Sequence, residues 1–437
     1  MNEETAILLS EMLESSRTVY VRTEPEIMDF TDNVLSKVVI FSANSKVELE
    51  VSSQNIASVI GLLDATIFNR EVVHQVYFWN FKSLASFVKY CTTKFVTPQN
   101  NVVDLKVVEA FLGIRKNPPE NYIEATNRAR VILQNNNWRA IYLSIHMPLL
   151  YRVIPSIETT ALVNSSLRRS EFPCYEIEGQ ANGRLNCSGR FSRSYLPHTM
   201  GPDVRKALKP KGEGLRFATA DFRFCEVVVL QWLTGDQALK EILDSGQDLH
   251  SRIYELIIQK PCDNDAKRKI SKKMFLPVVY GLGTVGLAQS LGVPEEAAAE
   301  IKNRIYSKFS TALNWVNEKQ QLARQGQTIT DYFGRPRKYS PEECYLVRNF
   351  VVQAVAATVC QEKLIDLWKS LINTTAKLAF SVHDGYCVVF ETKDAKSIYD
   401  IMKQTLESES RLCPGLKMKV EIKFGINLNE MRVLWTN

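Results

Sequence analysis

Hydrophobic and polar positions alternate at period two in three short stretches near the start of the chain, TVYVRT (18–23), KVVIFSA (37–43) and KVELEVS (46–52). Rich in β-branched residues, they predict a small sheet meander. The period then lengthens to that of a helix in NIASVIGLLDATI (55–67) and FKSLASFVKYCTTKF (81–95), an α/β pattern. A polar stretch, RKNPPENY (115–122), leads to a helical segment running to about Pro155, and residues 165–184 are polar, basic and glycine-bearing. The major boundary is placed in the helical segment near residues 140 to 150. From Phe217 onward three features follow in order: an apolar strand ending in an acid, FATADFRFCEVVVLQWL; a strongly basic helix, DAKRKISKKMFLPVVYG; and an apolar hairpin with a central acid, KLAFSVHDGYCVVF.

Asp221 ends one apolar run and Asp384 interrupts another, and an ionised carboxylate among such neighbours is costly to desolvate unless it is paired or bound to a cation. Taken singly, each could be an acid in a solvent-exposed turn. As a pair they suggest more, because His383-Asp384-Gly385 has the turn chemistry of a hairpin tip, which aims its acid at solvent or a ligand. Two such carboxylates brought together would repel, and Mg²⁺ removes that repulsion by taking oxygen ligands from both and from a substrate phosphate. Two ions about 4 Å apart would bracket an in-line displacement at phosphorus.

In the basic segment Arg268, Lys272, Leu276 and Tyr280 recur at every fourth position, along one slowly winding helix face. A cationic stripe thus leads into an apolar and aromatic patch, which suits a triphosphate with a base stacked further along. The plainer alternative is a solvated basic face, and Lys267, Lys269 and Lys273 fit that description. Gly281 to Gly286 matches G-x-G-x-x-G, yet it follows a basic helix instead of a strand, so the context for dinucleotide binding is missing.

Composition narrows the picture without deciding it. With 437 residues, 45% hydrophobic and 23% charged, the chain can build two or three domains. A formal charge of +6 permits an anionic partner and no more. Nine cysteines lie scattered with no C-x-x-C pair, so neither a zinc site nor a disulfide framework is indicated, and a reducing compartment fits. The N-terminus is acidic, and no run approaches the roughly 18 uninterrupted apolar residues of a membrane span. The expectation is a protein without a membrane partner, in the cytoplasm of a bacterial or virus-infected cell.

In this order the motifs resemble family A DNA polymerases, the family of the bacterial repair polymerase and several phage replicases. DFRFCEVVVLQWLTGD is similar to the family's first motif, which implies metal binding by Asp221 and the Phe222 backbone carbonyl, and exclusion of a ribose 2′-hydroxyl by Glu226. GQDLH carries over a phosphate-contacting His250. RKISKKMFLPVVYG resembles the second motif and implies nucleotide binding by Arg268, Lys272, Leu276 and Tyr280, with Lys272 also catalytic. TDYFGRPRK followed by NFVVQAV is similar to the segment that touches primer and template, carrying over Arg335, Asn349 and Gln353. SVHDGYCVVF looks like the third motif, with metal-binding Asp384 beside His383 at the DNA, and NGRLNCS resembles a run that implies a DNA contact by Arg184.

The resemblance implies an α+β right-hand polymerase with an antiparallel palm sheet and helical fingers, preceded by a small α/β domain at 1–140. Within 141–437, a much reduced thumb is expected at about 141–182, palm at 183–250 and 345–437, and fingers at 251–344. It implies two Mg²⁺ ions, with Mn²⁺ as an alternative, and primer-template DNA and dNTPs as partners. A processivity or replisome protein would offset the lost thumb. YVRTEP, VVHQVYFWNFKSL and NVVDLKVVEAFLGI faintly echo a proofreading exonuclease, but Arg22 stands where an acid is expected and chiefly Asp104 remains. The first domain therefore reads as a degenerate 3′–5′ exonuclease fold without proofreading, or else as an unrelated α/β domain.

Three departures stand out. Leu276 occupies the position of the second-motif aromatic with Phe275 one place early, Pro277 lies inside the helix, where it should kink or weaken it, and Gly385 replaces the acid that usually follows the third-motif Asp. The rival readings are a single-subunit RNA polymerase, which Glu226 opposes, and a non-catalytic DNA-binding replisome subunit.

Overall fold

The structure is a computed structural model that describes residues 3–16, 18–24, 36–42, 45–68, 73, 75–92, 95–96, 102–114, 122–164, 174–177, 180–188 and 200–435. Its strands are, in chain order, β1 (Thr18–Glu24), β2 (Ser36–Phe41), β3 (Lys46–Val51), β4 (Gln75–Trp79), β5 (Val102–Asp104), β6 (Cys174–Glu176), β7 (Asn186–Ser188), β8 (Leu215–Phe222), β9 (Ile329–Thr330), β10 (Pro336–Arg337), β11 (Lys377–Val382), β12 (Gly385–Glu391) and β13 (Val420–Gly425). Two compact units emerge. The first holds residues 1–221, 360–407 and 420–437, and the second holds 222–359 and 408–419.

The first unit contains two larger sheets. One has the order β3-β2-β1-β4-β5, with β1, β2 and β3 an antiparallel meander and β4 and β5 added in parallel. Alternation builds the meander as the pattern predicts: Val47, Leu49 and Val51 are buried on one face of β3 while Lys46, Glu48 and Glu50 stay on the other. The helices Ile56–Ala65 and Phe81–Thr92 occupy the two stretches of helical periodicity.

The second sheet has the order β11-β12-β8-β13, and its β11–β12 and β12–β8 pairs are antiparallel. One face is covered by a core of Met200, Leu208, Phe217, Ala379, Phe380, Cys387 and Val389. The amphipathic helix Ala395–Leu406 packs on β13 and β12. The helix Ile154–Asn164 touches both Phe81–Thr92 and β11, which ties the two sheets into one unit. Its Glu158 is buried, pairs with Lys82 at 3.0 Å and accepts from Ser86 and the Tyr175 amide, so the charge is fully partnered.

Asn137–Thr160 is the one described helix long and apolar enough to cross a membrane by length and composition. Most of its apolar window is buried against the rest of the unit, and it carries Glu158 and His146 inside. It is a core helix here. Two π turns, Tyr142–His146 and Leu149–Val153, flank Pro148, whose missing amide breaks the regular ladder.

The second unit is mainly helical, running from Cys225–Thr234 through Gln237–Asp244, Leu249–Ile258, Asp265–Val279, Thr284–Leu291, Glu295–Lys308 and Ser310–Arg324 to the start of Val347–Leu371. Buried Asp236 caps the second of these at the Leu239 amide and also accepts from the Ala312 amide, both at 3.0 Å. Helix Asp265–Val279 runs through Pro277 and ends two residues later, so the expected break is shifted to the helix end. There Gly281 adopts φ +99°, a left-handed conformation suited to glycine. The expected division at residue 140 and the thumb, palm and finger limits return below as proposals; of the thumb segment, residues 165–173 and 178–179 lie outside the described residues.

Candidate active site

Two groups of residues carry the candidate chemistry, one in each unit. In the first, β11 and β12 are joined by the two-residue turn His383-Asp384, and His383 takes the left-handed φ +54° that such hairpins require at their first central residue. Asp221, near the end of β8, pairs in register with Gly385, so the two acids come from neighbouring strand ends. An alanine Cβ built at Gly385 would meet the Asp221 Oδ1 at 2.3 Å, which shows how closely that carboxylate lies over the glycine. Burial pushes the Asp221 carboxyl above its ordinary value, and the Asp384 charge pushes it further; Lys423 and Arg205 act against both. The residue nevertheless stays exposed to water at the end of β8.

This donor set suits a hard divalent cation. It consists of two carboxylates whose mutual repulsion a cation would relieve, followed at once in the chain by the Phe222 carbonyl. Among the described residues no group of three or more His, Cys, Asp or Glu side chains could hold a metal. Mg²⁺ needs no such cage, because it keeps waters and takes substrate phosphate oxygens. A cavity of about 340 Å³ opens beside Asp221, lined by Thr219, Gly385, Cys387 and Lys423 of the sheet and by Arg205.

In the second unit, Glu226 stands in the first turn of the helix Cys225–Thr234. Its carboxylate accepts from the Tyr280 hydroxyl and from the Gln353 amide, at 3.2 and 3.3 Å. Three residues far apart in sequence are thereby locked together. His250 lies 3.5 Å from the Ser271 hydroxyl, and burial, with Lys272 and Arg268 nearby, lowers its pKa to about 4. The ring is neutral at pH 7. Arg268 grips Asp248 through two hydrogen bonds, at 2.8 and 2.9 Å. Although burial raises the Asp248 carboxyl, Arg268 and Ser251 bring it down to about 2. Lys272 is exposed on the same helix, and Leu276 is half-buried. Phe275 cannot take the place of the missing aromatic, since it is buried edge-on against Phe309.

The remaining expected residues separate. Asn349 is half-buried, and its Oδ1 has no hydrogen-bond partner, an acceptor left over inside the protein. Arg184 is half-buried beside Gly183, whose carbonyl is held by the Gln361 amide at 2.8 Å. His383 is exposed. Arg335 departs from expectation: it is 1% exposed and its guanidinium pairs with buried Asp331 inside the β9–β10 hairpin. Its side chain closes that loop and does not reach a DNA surface in this conformation. Sequence reasoning missed Asp248, Arg205, Lys423 and Gln361. Only Asp248 carried a signal, as an N-cap acid opening the helix Leu249–Ile258.

The family model described as DNA polymerase family A matches residues 172–430. The chain is 25% identical over 256 residues to the thermostable DNA polymerase I of Thermus aquaticus, covering 55% of this chain and 30% of that protein. It is 24% identical over 301 residues to DNA polymerase I of Bacillus subtilis, covering 63% and 34% respectively. The chain thus spans about a third of the length of the curated relatives it matches. Its fold is similar to that of the POL domain of Pol1 from M. smegmatis in complex with DNA primer-template and dNTP, with a TM-score of 0.71, 14% identity and 99% coverage of both chains.

Proposed function

Since the chain belongs to DNA polymerase family A, we propose that it catalyses template-directed DNA synthesis. A primer 3′-hydroxyl attacks the α-phosphorus of a dNTP; the new P–O bond forms as the bond to the β-phosphate oxygen breaks and diphosphate leaves. The observation that carries this is the register of β8 and β12, which sets Asp221 against the residue after Asp384 and couples their charges. Asp221, Asp384 and the Phe222 carbonyl would hold two Mg²⁺ ions, or Mn²⁺ in their place. When bound, the metal supplies Lewis-acid polarisation of phosphate oxygens and lowers the pKa of the attacking hydroxyl.

The protein's own groups position the reactants and spread the developing charge. Arg268 and Lys272 hold triphosphate oxygens, and neutral His250 donates one N–H to another. Glu226, fixed by Tyr280 and Gln353, presents a rigid wall that excludes a 2′-hydroxyl. Leu276 packs against the incoming nucleotide with less stacking than an aromatic ring, and Tyr280 stands near the templating base. The unpaired oxygen of Asn349, with Gln353, Arg184 and His383, contacts primer and template.

The domain division at 140 and the reduced thumb are part of this reading, and they predict low processivity without a partner that holds DNA. Absence of proofreading is supported by how acids in the first sheet and the helix packed beside it are engaged. Asp104 spends its oxygens on the amides of Phe81, Lys106 and Val107, while Glu24 pairs with Arg22 and Glu158 with Lys82. A cytoplasmic setting agrees with the bacterial relatives.

Primer extension with Mg²⁺, run beside Asp384→Ala, tests the reading. Wild type should extend with dNTPs and the variant should not. Preference for rNTPs would make the chain an RNA polymerase, and no extension by wild type with any divalent metal would leave only DNA binding.

A further inference from the structure

The second unit contains a cavity of about 410 Å³ that none of the roles above uses. Arg223, Lys240, Lys417 and Lys419 line it against one acid, Asp244, and the amides of Gln231 and Gln247 add neutral donors. Lys240 pairs with Asp244, and Lys417 lies 3.6 Å from Glu409; four cations against these two acids leave a formal excess of two positive charges. The site is built from two distant segments stitched together: the Arg223 amide donates to the Lys419 carbonyl at 2.8 Å, and the Trp232 indole donates to the Pro414 carbonyl at 3.0 Å. Between this cavity and His250 stands a single ring. Phe224 lines the cavity and meets the imidazole edge-on, with centroids 5.3 Å apart. Phe224 is held at φ 57°, ψ 33°, a left-handed conformation that a bulky residue adopts at a cost and that aims its ring into this position.

We propose that this cavity is a binding subsite for diphosphate, the chemistry shared by the released product and by the tail of a nucleoside triphosphate. Its place beside His250 as a station for the departing product rests on the polymerase reading; its affinity for diphosphate does not. The cations supply several donors to one small polyanion, and a cavity of this size is within the range of small-ligand sites.

The test is titration calorimetry of the full chain with inorganic pyrophosphate in EDTA, which keeps cations away from Asp221 and Asp384. Wild type should bind, and Lys417→Gln with Lys419→Gln should bind about tenfold or more weakly, the loss expected for removing charged donors. Lys260→Gln, an exposed lysine outside the cavity, should match wild type. Equal affinity in wild type and the double variant, or an equal loss in Lys260→Gln, would overturn the subsite. Competition by dATP at similar concentration would assign it to nucleotide tails, and preference for free pyrophosphate to the product. In primer extension the double variant should need more added pyrophosphate for half-inhibition. A wild type that binds pyrophosphate but extends no primer would sink the polymerase reading and leave the subsite standing.

Discussion

Asp248→Asn separates gripping from competition at the triphosphate side of the candidate site. In the structure Asp248 occupies the Nε–Nη2 edge of Arg268, at 2.9 and 2.8 Å, with each side chain about a third exposed (33% and 34%). A triphosphate that recruits Arg268 must share it with that carboxylate or displace it. A partly exposed ion pair contributes up to about 1 kcal/mol, so removing the charge should tighten nucleotide binding by at most about fivefold. Asparagine keeps an oxygen for the Ser251 amide, so the helix cap survives and stability should change by less than about 1 kcal/mol. Asp248 is ionised well below neutral pH, so the effect should not vary between pH 6 and 8. Single-turnover insertion at varied dNTP concentration gives Kd and the maximal rate separately. The expected outcome is a lower Kd at an unchanged rate, with the difference shrinking as salt rises. A higher Kd in a variant of normal stability would refute competition and make Asp248 a residue that orients Arg268.

Three further outcomes follow from the geometry. Gly385→Ala forces the Asp221 oxygen to move by nearly 1 Å from its 2.3 Å approach, so extension should slow by about a hundredfold while melting temperature changes little; full activity would show that the carboxylate swings aside freely. Arg335→Met leaves the Asp331 charge buried without its cation and should lower the urea-unfolding free energy by about 3 kcal/mol, whereas weaker DNA binding at unchanged stability would restore a DNA contact. For His250 the folded pKa of about 4 lies below the ordinary 6.5. Its contribution to stability is therefore full above about pH 6.5 and is lost as pH falls toward 4. His250→Gln should lose less stability than wild type between pH 7 and 5, and parallel urea midpoints would contradict the assignment.

Local rules made much of the fold legible. The alternation in KVELEVS names the buried residues of β3, and the turn chemistry of His383-Asp384-Gly385 places the hairpin tip between β11 and β12. Each feature is decided within a few residues, where backbone geometry leaves little choice. Pro277 is less legible from local rules. Proline cannot donate to the helix ladder, but a helix that ends at Val279 loses little by it, and where a helix ends depends on what Gly281 and its neighbours pack against.

The candidate site shows the same limit more sharply, because charge alone does not say where a charge is spent. Arg268 and Arg335 look alike as exposed-type cations in basic segments. One holds a partly exposed Asp248 and can still trade it for phosphate; the other is sealed against Asp331. The difference lies in burial. A third-exposed pair can exchange partners at a cost near 1 kcal/mol, while breaking a sealed pair strands a charge in the interior at several times that cost. Glu226 gives the opposite case: the motifs imply separate roles for its partners Tyr280 and Gln353, and only folding reveals that they act as its clamps. Sequence motifs therefore identify which side chains can do the chemistry, and the hydrogen-bond partners decide which of them are available for it.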